Sequence, residues 1–429
     1  MIRATWTLLL LAGTALCGTD SPPPIAIRGA RIVTVSGPVL AKGTVLIREG
    51  LIQAVGTNVT IPPEAWVMDG EGLTVYPGLI DAMSNWGLPP EPPQALRTAP
   101  TSQNPPARGP EDRPLNNSFL KAADIVIPSD KRIEQARSVG FTTAVIFPRS
   151  GIFCGQGSIV NLAGASARQM VVRASAGQKI AFLSRDYGDD FPMSLMGTMA
   201  YIRQVALDAD HYRRANEAYE RNPKGSRRPD YDRTLDGWLE SPRILLPAER
   251  SVEIDRMLRF GAELKTRTVL YGAHDGYRAA DLLAKSGTPV LVSLKWPERN
   301  RNADPNSEES LRVLELREKA PSTPAAFAKA GVRFAFYSDG TERPSSLMKA
   351  VRRAIVAGLS QEAAVRAMTL SAAEIYGVDD RLGSIEKGKI ANLVVTSGDL
   401  FQENTKVKCV FIDGNKITPA PDTAEEESK

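Results

Sequence analysis

Side chains suited to acid–base chemistry near neutral pH are scarce in this sequence. Its 429 residues include two histidines, His211 and His274, and three cysteines. His274 follows the apolar run "VLYGA", and Asp339 closes "VRFAFYSDG", so both are expected where a strand ends. An imidazole and a carboxylate in one pocket are the minimum for general acid–base work, and these two are the catalytic candidates. Each also has a structural reading. An Asp before Gly binds backbone N–H groups in turns, and a histidine can sit hydrogen-bonded at a pocket rim. Asp275 points away from His274 if the strand continues. Ser84, Ser293 and Ser338 could face the same pocket, but a serine nucleophile needs a base within reach, and only His274 could serve. "GIFCGQG" (151–157) has the glycines of a phosphate loop without its Lys-Ser/Thr ending. It reads as a loop near the pocket, with Cys154 a nucleophile candidate that nothing else supports. His211, in a charged stretch, reads as a surface residue.

Positioning such groups requires a scaffold, and the pattern along the chain describes one. From Ile25 to about Thr74, runs such as "IAIRGARIVTVSG" and "GTVLIREGLIQAVG" alternate β-branched and polar residues between glycines. The far end has the same texture in "GSIEKGKIANLVVTSGD" and "KVKCVFIDGNKI", with Gly-Lys and Asp-Gly turns. Between them, apolar strands alternate with amphipathic helices, for example "RILLPA" before "SVEIDRMLRFGAEL". That alternation predicts an α/β chain: a (β/α)8 TIM-like barrel over 75–384 plus a small β-sandwich from 22–74 and 385–418. Two stretches interrupt the barrel. Pro89–Asn117 is rich in Pro, Asn and Arg and reads as a long surface loop. Asp208–Asp236 is charged and reads as an exposed helix ending in a loop. Residues 419–429 form an acidic, apolar-poor tail of disordered composition.

"IREGLIQAVG" leading to "YPGLIDA", then "TLSAAEIYGVDDRLGSIEKGKIANLVV" and "VFIDGNKI", resemble the amidohydrolase superfamily over nearly the whole mature chain. The specific likeness is to its imidazolonepropionase-like branch of exported bacterial proteins. The resemblance implies a barrel flanked by a β-sandwich, and hydrolysis of C–N bonds in cyclic or linear amides. One or two divalent metals such as zinc would activate water and polarise the carbonyl. It further implies a His-x-His after the "PGLID" Asp, a carboxylate or modified Lys on a middle strand, a His on each of the fifth and sixth strands, and an Asp on the eighth. In this chain the first pair falls on Met83 and Asn85, the fifth-strand position on Pro247, and the sixth on Gly272, with His274 two residues further on. The eighth-strand Asp is matched by Asp339. Two histidines cannot supply four imidazole ligands whatever the alignment, and catalytic zinc takes three protein ligands in which His dominates. The expectation is a degenerate pocket without a metal cofactor.

Bulk properties narrow the function classes. With 42% hydrophobic residues the chain can bury a large core. Lys plus Arg total 53 against 49 Asp plus Glu, a net +4. Its basic clusters lie among acids and prolines rather than in one patch, which argues against nucleic-acid binding. "MIRATWTLLLLAGTALCG" has one Arg, an apolar run and small residues, so residues 1–18 read as a secretory signal too short to span a bilayer. Leu16 is bulky before Cys17, which favours ordinary export, periplasmic or secreted, over lipidation. No later run is long and apolar enough to span. Cys154 and Cys409 are free thiols by default, with a single bridge between them the alternative in an exported protein. The first functional expectation is therefore a non-catalytic or weakly active protein that binds a small amide-like ligand, as a homo-oligomer or beside an active relative. The alternative is an amide hydrolase using Asp339 and His274 without the usual metals.

Overall fold

Short β-branched runs broken by glycine turns give the first five strands: β1 (Ile25–Ile32), β2 (Leu40–Arg48), β3 (Leu51–Gly56), β4 (Trp66–Asp69) and β5 (Thr74–Pro77). The computed structural model describes residues 22–90, 113–182, 191–192, 194–300, 302, 304, 306–338 and 344–419. The signal segment, most of the Pro-rich stretch, Asp339 and nearly all of the acidic tail lie outside the described residues.

Eight more strands follow: β6 (Leu79–Ser84), β7 (Phe141–Ile146), β8 (Phe153–Asn161), β9 (Val171–Ile180), β10 (Ile244–Ala248), β11 (Thr268–Gly272), β12 (Val290–Ser293) and β13 (Phe334–Tyr337). The chain ends with β14 (Leu393–Thr396), β15 (Val407–Ile412) and β16 (Asn415–Ile417). The two chain ends meet in one continuous sheet, ordered β16-β15-β14-β5-β1-β2-β3, with β4 also paired to β1. The join is antiparallel, β14 on β5, with Val395 opposite Val75. Alternate residues of both ends, among them Ile27, Val45, Val75, Leu393 and Phe411, bury a common core.

The second sheet runs β6 to β13 in chain order and curls into a nearly closed barrel. Its neighbours are parallel except at β8, which is antiparallel to both β7 and β9. The strict β/α alternation expected from sequence thus gives way here to a meander. The cause is connection length: residues 147–152 alone link β7 to β8, and a parallel crossover needs about a dozen residues or more. "GIFCGQG" consequently lies largely in β8 rather than in a pocket loop. Cys154 is fully buried there and Cys409 is buried in the other sheet, both as free thiols. The Gln156 Nε2 donates to the Ser118 and Gly237 carbonyls, at 3.1 Å each, and its Oε1 accepts from Ser175 Oγ at 2.7 Å. Gln156 therefore binds β8 to the surrounding segments and holds no ligand phosphate.

The charged insert is a 27-residue helix, Leu195–Arg221, that starts well before Asp208. Ser194 caps it by accepting from Gly197 N at 3.0 Å. His211 is exposed on it, as a surface residue would be. Arg113 holds the insert down, donating to Asp208 at 2.9 Å and Asp232 at 2.8 Å.

Below the barrel, a polar network joins the two sheets. Asn392 Nδ2 donates to Asn161 Oδ1 at 2.7 Å and to Thr143 Oγ1 at 3.0 Å; Asn161 Nδ2 donates to Asp413 Oδ1 at 2.7 Å. Burial pushes the Asp413 carboxyl above its ordinary range, partly offset by the Asn161 hydrogen bond. A raised folded pKa gives stability that is present below the unfolded value and lost as pH rises through the folded one. Asn at 413 keeps an acceptor, tolerates the backbone φ of 50°, and carries no charge to bury. Asp413→Asn is therefore expected to raise the melting temperature at about pH 7, with the gain shrinking toward about pH 4. Thermal melts of both proteins across that range check it, and a pH-independent difference would refute it.

Candidate functional site at the barrel mouth

Parallel-register pairing sets which residues face the barrel axis at the strand ends. Leu245, Val269, Leu291 and Ala335 lie in the interior core, so two residues later Pro247, Tyr271, Ser293 and Tyr337 also face inward as an upper layer, staggered where the register sets Tyr271 beside Leu291. Tyr271 and Tyr337 pack edge-on with ring centroids 6.3 Å apart, and Tyr271 Oη donates to the Ile180 carbonyl at 2.8 Å. Met83, fully buried, belongs to the same apolar cluster. Lys179, 5% exposed near the end of β9, holds its ammonium 5.8 Å from the Tyr271 ring centroid. Side-chain packing therefore fills this layer at Met83 and beside Pro247, where the resemblance would put first- and fifth-strand ligands, whereas Gly272 follows the inward Tyr271 and lies outside the layer.

Each expected position can now be located. Met83 is a core thioether. Asn85 is half-buried just past β6, and its carbonyl accepts from Leu88 N at 3.1 Å. Pro247 faces the mouth and lines a groove beside it. Gly272 ends β11 with φ at 107°, a conformation open to glycine. A Cβ built there would stand 2.5 Å from Glu249 Oε1, so the Glu249 carboxylate occupies the space a sixth-strand side chain would need. As a donor set for a divalent ion, a buried thioether, an amide, a proline and a glycine do not fit. Among the described residues, which exclude Asp339, no group of three or more His, Cys, Asp or Glu could hold a metal ion.

His274 is held instead by a carboxylate that sequence reasoning did not select. Its Nδ1 lies 3.0 Å from Glu249 Oε2, its Nε2 lies 3.3 Å from the Ser293 carbonyl, and its ring is 5.7 Å from Trp296. Ala273, just before it, has φ at 57°, an uncommon conformation for a non-glycine residue that sets the direction of the His274 backbone. Asp275 turns away, accepting from Ser251 N and Oγ at 3.1 and 2.9 Å. The serines are engaged elsewhere. Ser84 Oγ accepts from Trp86 N, Ser293 Oγ accepts from Lys295 N, and Ser338 Oγ donates to Asp81. The arrangement offers a carboxylate-oriented imidazole at the mouth, without a hydroxyl on it. Asp339 directly follows Ser338 in the chain but lies outside the described residues.

Glu249, Lys179, Tyr271 and Tyr337 were not among the sequence candidates. Strand alternation could have pointed the tyrosines inward. Nothing local to Glu249 marks it, because its role depends on the empty space at Gly272.

Residues 253–417 match the Amidohydrolase family. The structure is similar to that of an amidohydrolase from Thermotoga maritima MSB8, with 27% identity and a TM-score of 0.77, over 92% of this chain and all of that one. A prolidase complexed with N-methylphosphonate-L-proline shares the fold at 19% identity and a TM-score of 0.56, over 92% of this chain and all of that one. An adenine deaminase from Clostridium botulinum is 33% identical over 95 residues, which is 21% of this chain and only 15% of the deaminase.

Proposed function

We propose that this chain, which belongs to the amidohydrolase superfamily, has given up metal-dependent hydrolysis and binds a small amide-like ligand at its barrel mouth. The packed layer of Met83, Tyr271 and Tyr337 carries this reading, since it occupies the strand ends from which metal ligands would project. Glu249 beside it would accept from an amide N–H, and His274 Nε2, on leaving the Ser293 carbonyl, would donate to the amide carbonyl. The protein would act by binding, as a homo-oligomer or as the partner of an active relative. Export through the segment 1–18 belongs to the same reading, and cell fractionation tests it. Among the described residues no helix is long and apolar enough to cross a membrane.

The test is metal analysis of protein purified without a histidine tag, with a screen of cyclic amides, imidazolones and dipeptides. The expected result is metal far below one per chain and no turnover, together with saturable binding of one of these amides that His274→Asn weakens. Stoichiometric zinc, or turnover abolished by Asp339→Asn, overturns the proposal. Met83→His with Asn85→His should leave metal binding absent, because Pro247 and Gly272 still lack donors.

One observation favours a second reading. A carboxylate on one nitrogen of an imidazole is the pairing that orients a general base, so His274 and Asp339 would hydrolyse amides without a metal. To act as a base, Nε2 would first have to leave the Ser293 carbonyl. Turnover that survives a chelator and is lost in His274→Asn would select this reading over the first.

A further inference from the structure

Beside the mouth, the Leu195–Arg221 helix and the helix Ser251–Glu263 enclose a groove of about 810 Å³ that reaches Pro247 and Tyr271. Its volume lies in the range of small-molecule sites. The walls are apolar: Phe182, Leu195, Met199, Met257 and Phe260 line it. Met196 is 84% exposed and Leu195 58% exposed at the rim, a cost that an apolar occupant would relieve. Methionine side chains adapt to a chain of variable shape.

Charge distinguishes this groove from a merely greasy surface. Around it, Arg203 pairs with Glu263, Arg250 with Glu253, Arg259 with Asp255, and Glu249 with His274. Arg256 lines the same groove, and its guanidinium has no hydrogen bond or ion pair among the described residues. Arg256 is therefore the one lining guanidinium without a carboxylate partner among the described residues, and it stands beside a long apolar wall.

We infer that the groove binds a single-chain amphiphile with one anionic head, a medium- or long-chain carboxylate, its chain against the methionine wall and its head on Arg256. One guanidinium matches one carboxylate, and the other lining guanidiniums are already paired, so a dianion or a neutral lipid fits less well. The groove shares Pro247, Glu249 and Tyr271 with the barrel mouth, but the inference does not require an amide to bind there.

The experiment uses the full untagged protein and a dansyl-labelled undecanoate below its micelle concentration, displaced by dodecanoate. The expected result is saturable binding of one probe per chain. Arg256→Gln should weaken dodecanoate by about fivefold, the size of an exposed charge pair, and leave its methyl ester within about twofold. Ala200→Trp, on the groove wall, should abolish binding of both without changing the melting temperature. Absence of saturable binding, equal weakening of acid and ester, or binding indifferent to Ala200→Trp would each overturn it. So would light scattering that shows a dimer which Ala200→Trp dissociates, since a second copy would then cover the face. Zinc content is read separately: zinc with chain binding retained sinks the barrel-mouth proposal and leaves this one standing.

Discussion

Asp81→Ala is expected to destabilise the protein by about 3 kcal/mol, whereas Asp81→Asn should cost about 1 kcal/mol. Asp81 is 1% exposed on the first barrel strand. Its Oδ1 accepts from Ser338 N at 3.0 Å and from Met83 N at 3.3 Å, and its Oδ2 accepts from Ser338 Oγ. These bonds fall at the one gap in the barrel: the ladder runs continuously from β6 to β13 but does not pair the last strand with the first. The Asp81 carboxylate therefore ties the barrel where backbone pairing does not. Alanine leaves two buried N–H donors without acceptors. Asparagine keeps Oδ1 for both and can donate its amide to Ser338 Oγ after the hydroxyl rotates. Urea unfolding midpoints of the three proteins check the order. Equal loss in both variants would mean that the charge matters rather than the geometry.

Asp81 also shows why part of the site was legible in the sequence. In "YPGLIDAMSNWG" the Pro-Gly turn, the apolar run and the Asp mark a buried strand by local pattern alone, and β6 lies there. Pairing of the two chain ends was legible for the same reason, because both carry period-two strands punctuated by glycine. The antiparallel β8 was not. "IFCGQGSIVN" looks like a glycine-rich loop until the shortness of 147–152 is weighed, and its glycines serve packing. A Cβ at Gly157 would stand 2.3 Å from the Phe147 ring. That no imidazole stands at 83, 85, 247 or 272 could be counted from sequence, since an absent imidazole is visible in one dimension. What fills the space around them could not. Glu249 adjoins Gly272 only through the β10–β11 register, and Tyr271 meets Tyr337 only across the barrel mouth. Such contacts arise from closure of the sheet, which no local window contains.

The same closure makes the sixth-strand position hard to restore. Gly272→His would place an imidazole there, and it is expected to cost about 2–4 kcal/mol in stability without gaining stoichiometric zinc. Two separate penalties contribute. At φ of 107° any side chain strains the backbone, and the new Cβ falls 2.5 Å from Glu249 Oε1. Glu249 is half-exposed, 52% by side chain, so it can swing aside, but it then leaves His274 Nδ1. Glu249→Ala removes the steric penalty in advance and leaves the backbone strain. Gly272→His with Glu249→Ala should thus lose less than the sum of the single losses, with a coupling of about 1 kcal/mol. Denaturant unfolding of the four proteins measures that coupling, and dialysis against zinc measures the metal. Strict additivity would mean that Glu249 does not occupy the space at Gly272. Zinc bound by Gly272→His alone would mean that the strand ends retain a usable ligand set, and the packed layer of Met83, Tyr271 and Tyr337 would have to open to admit it.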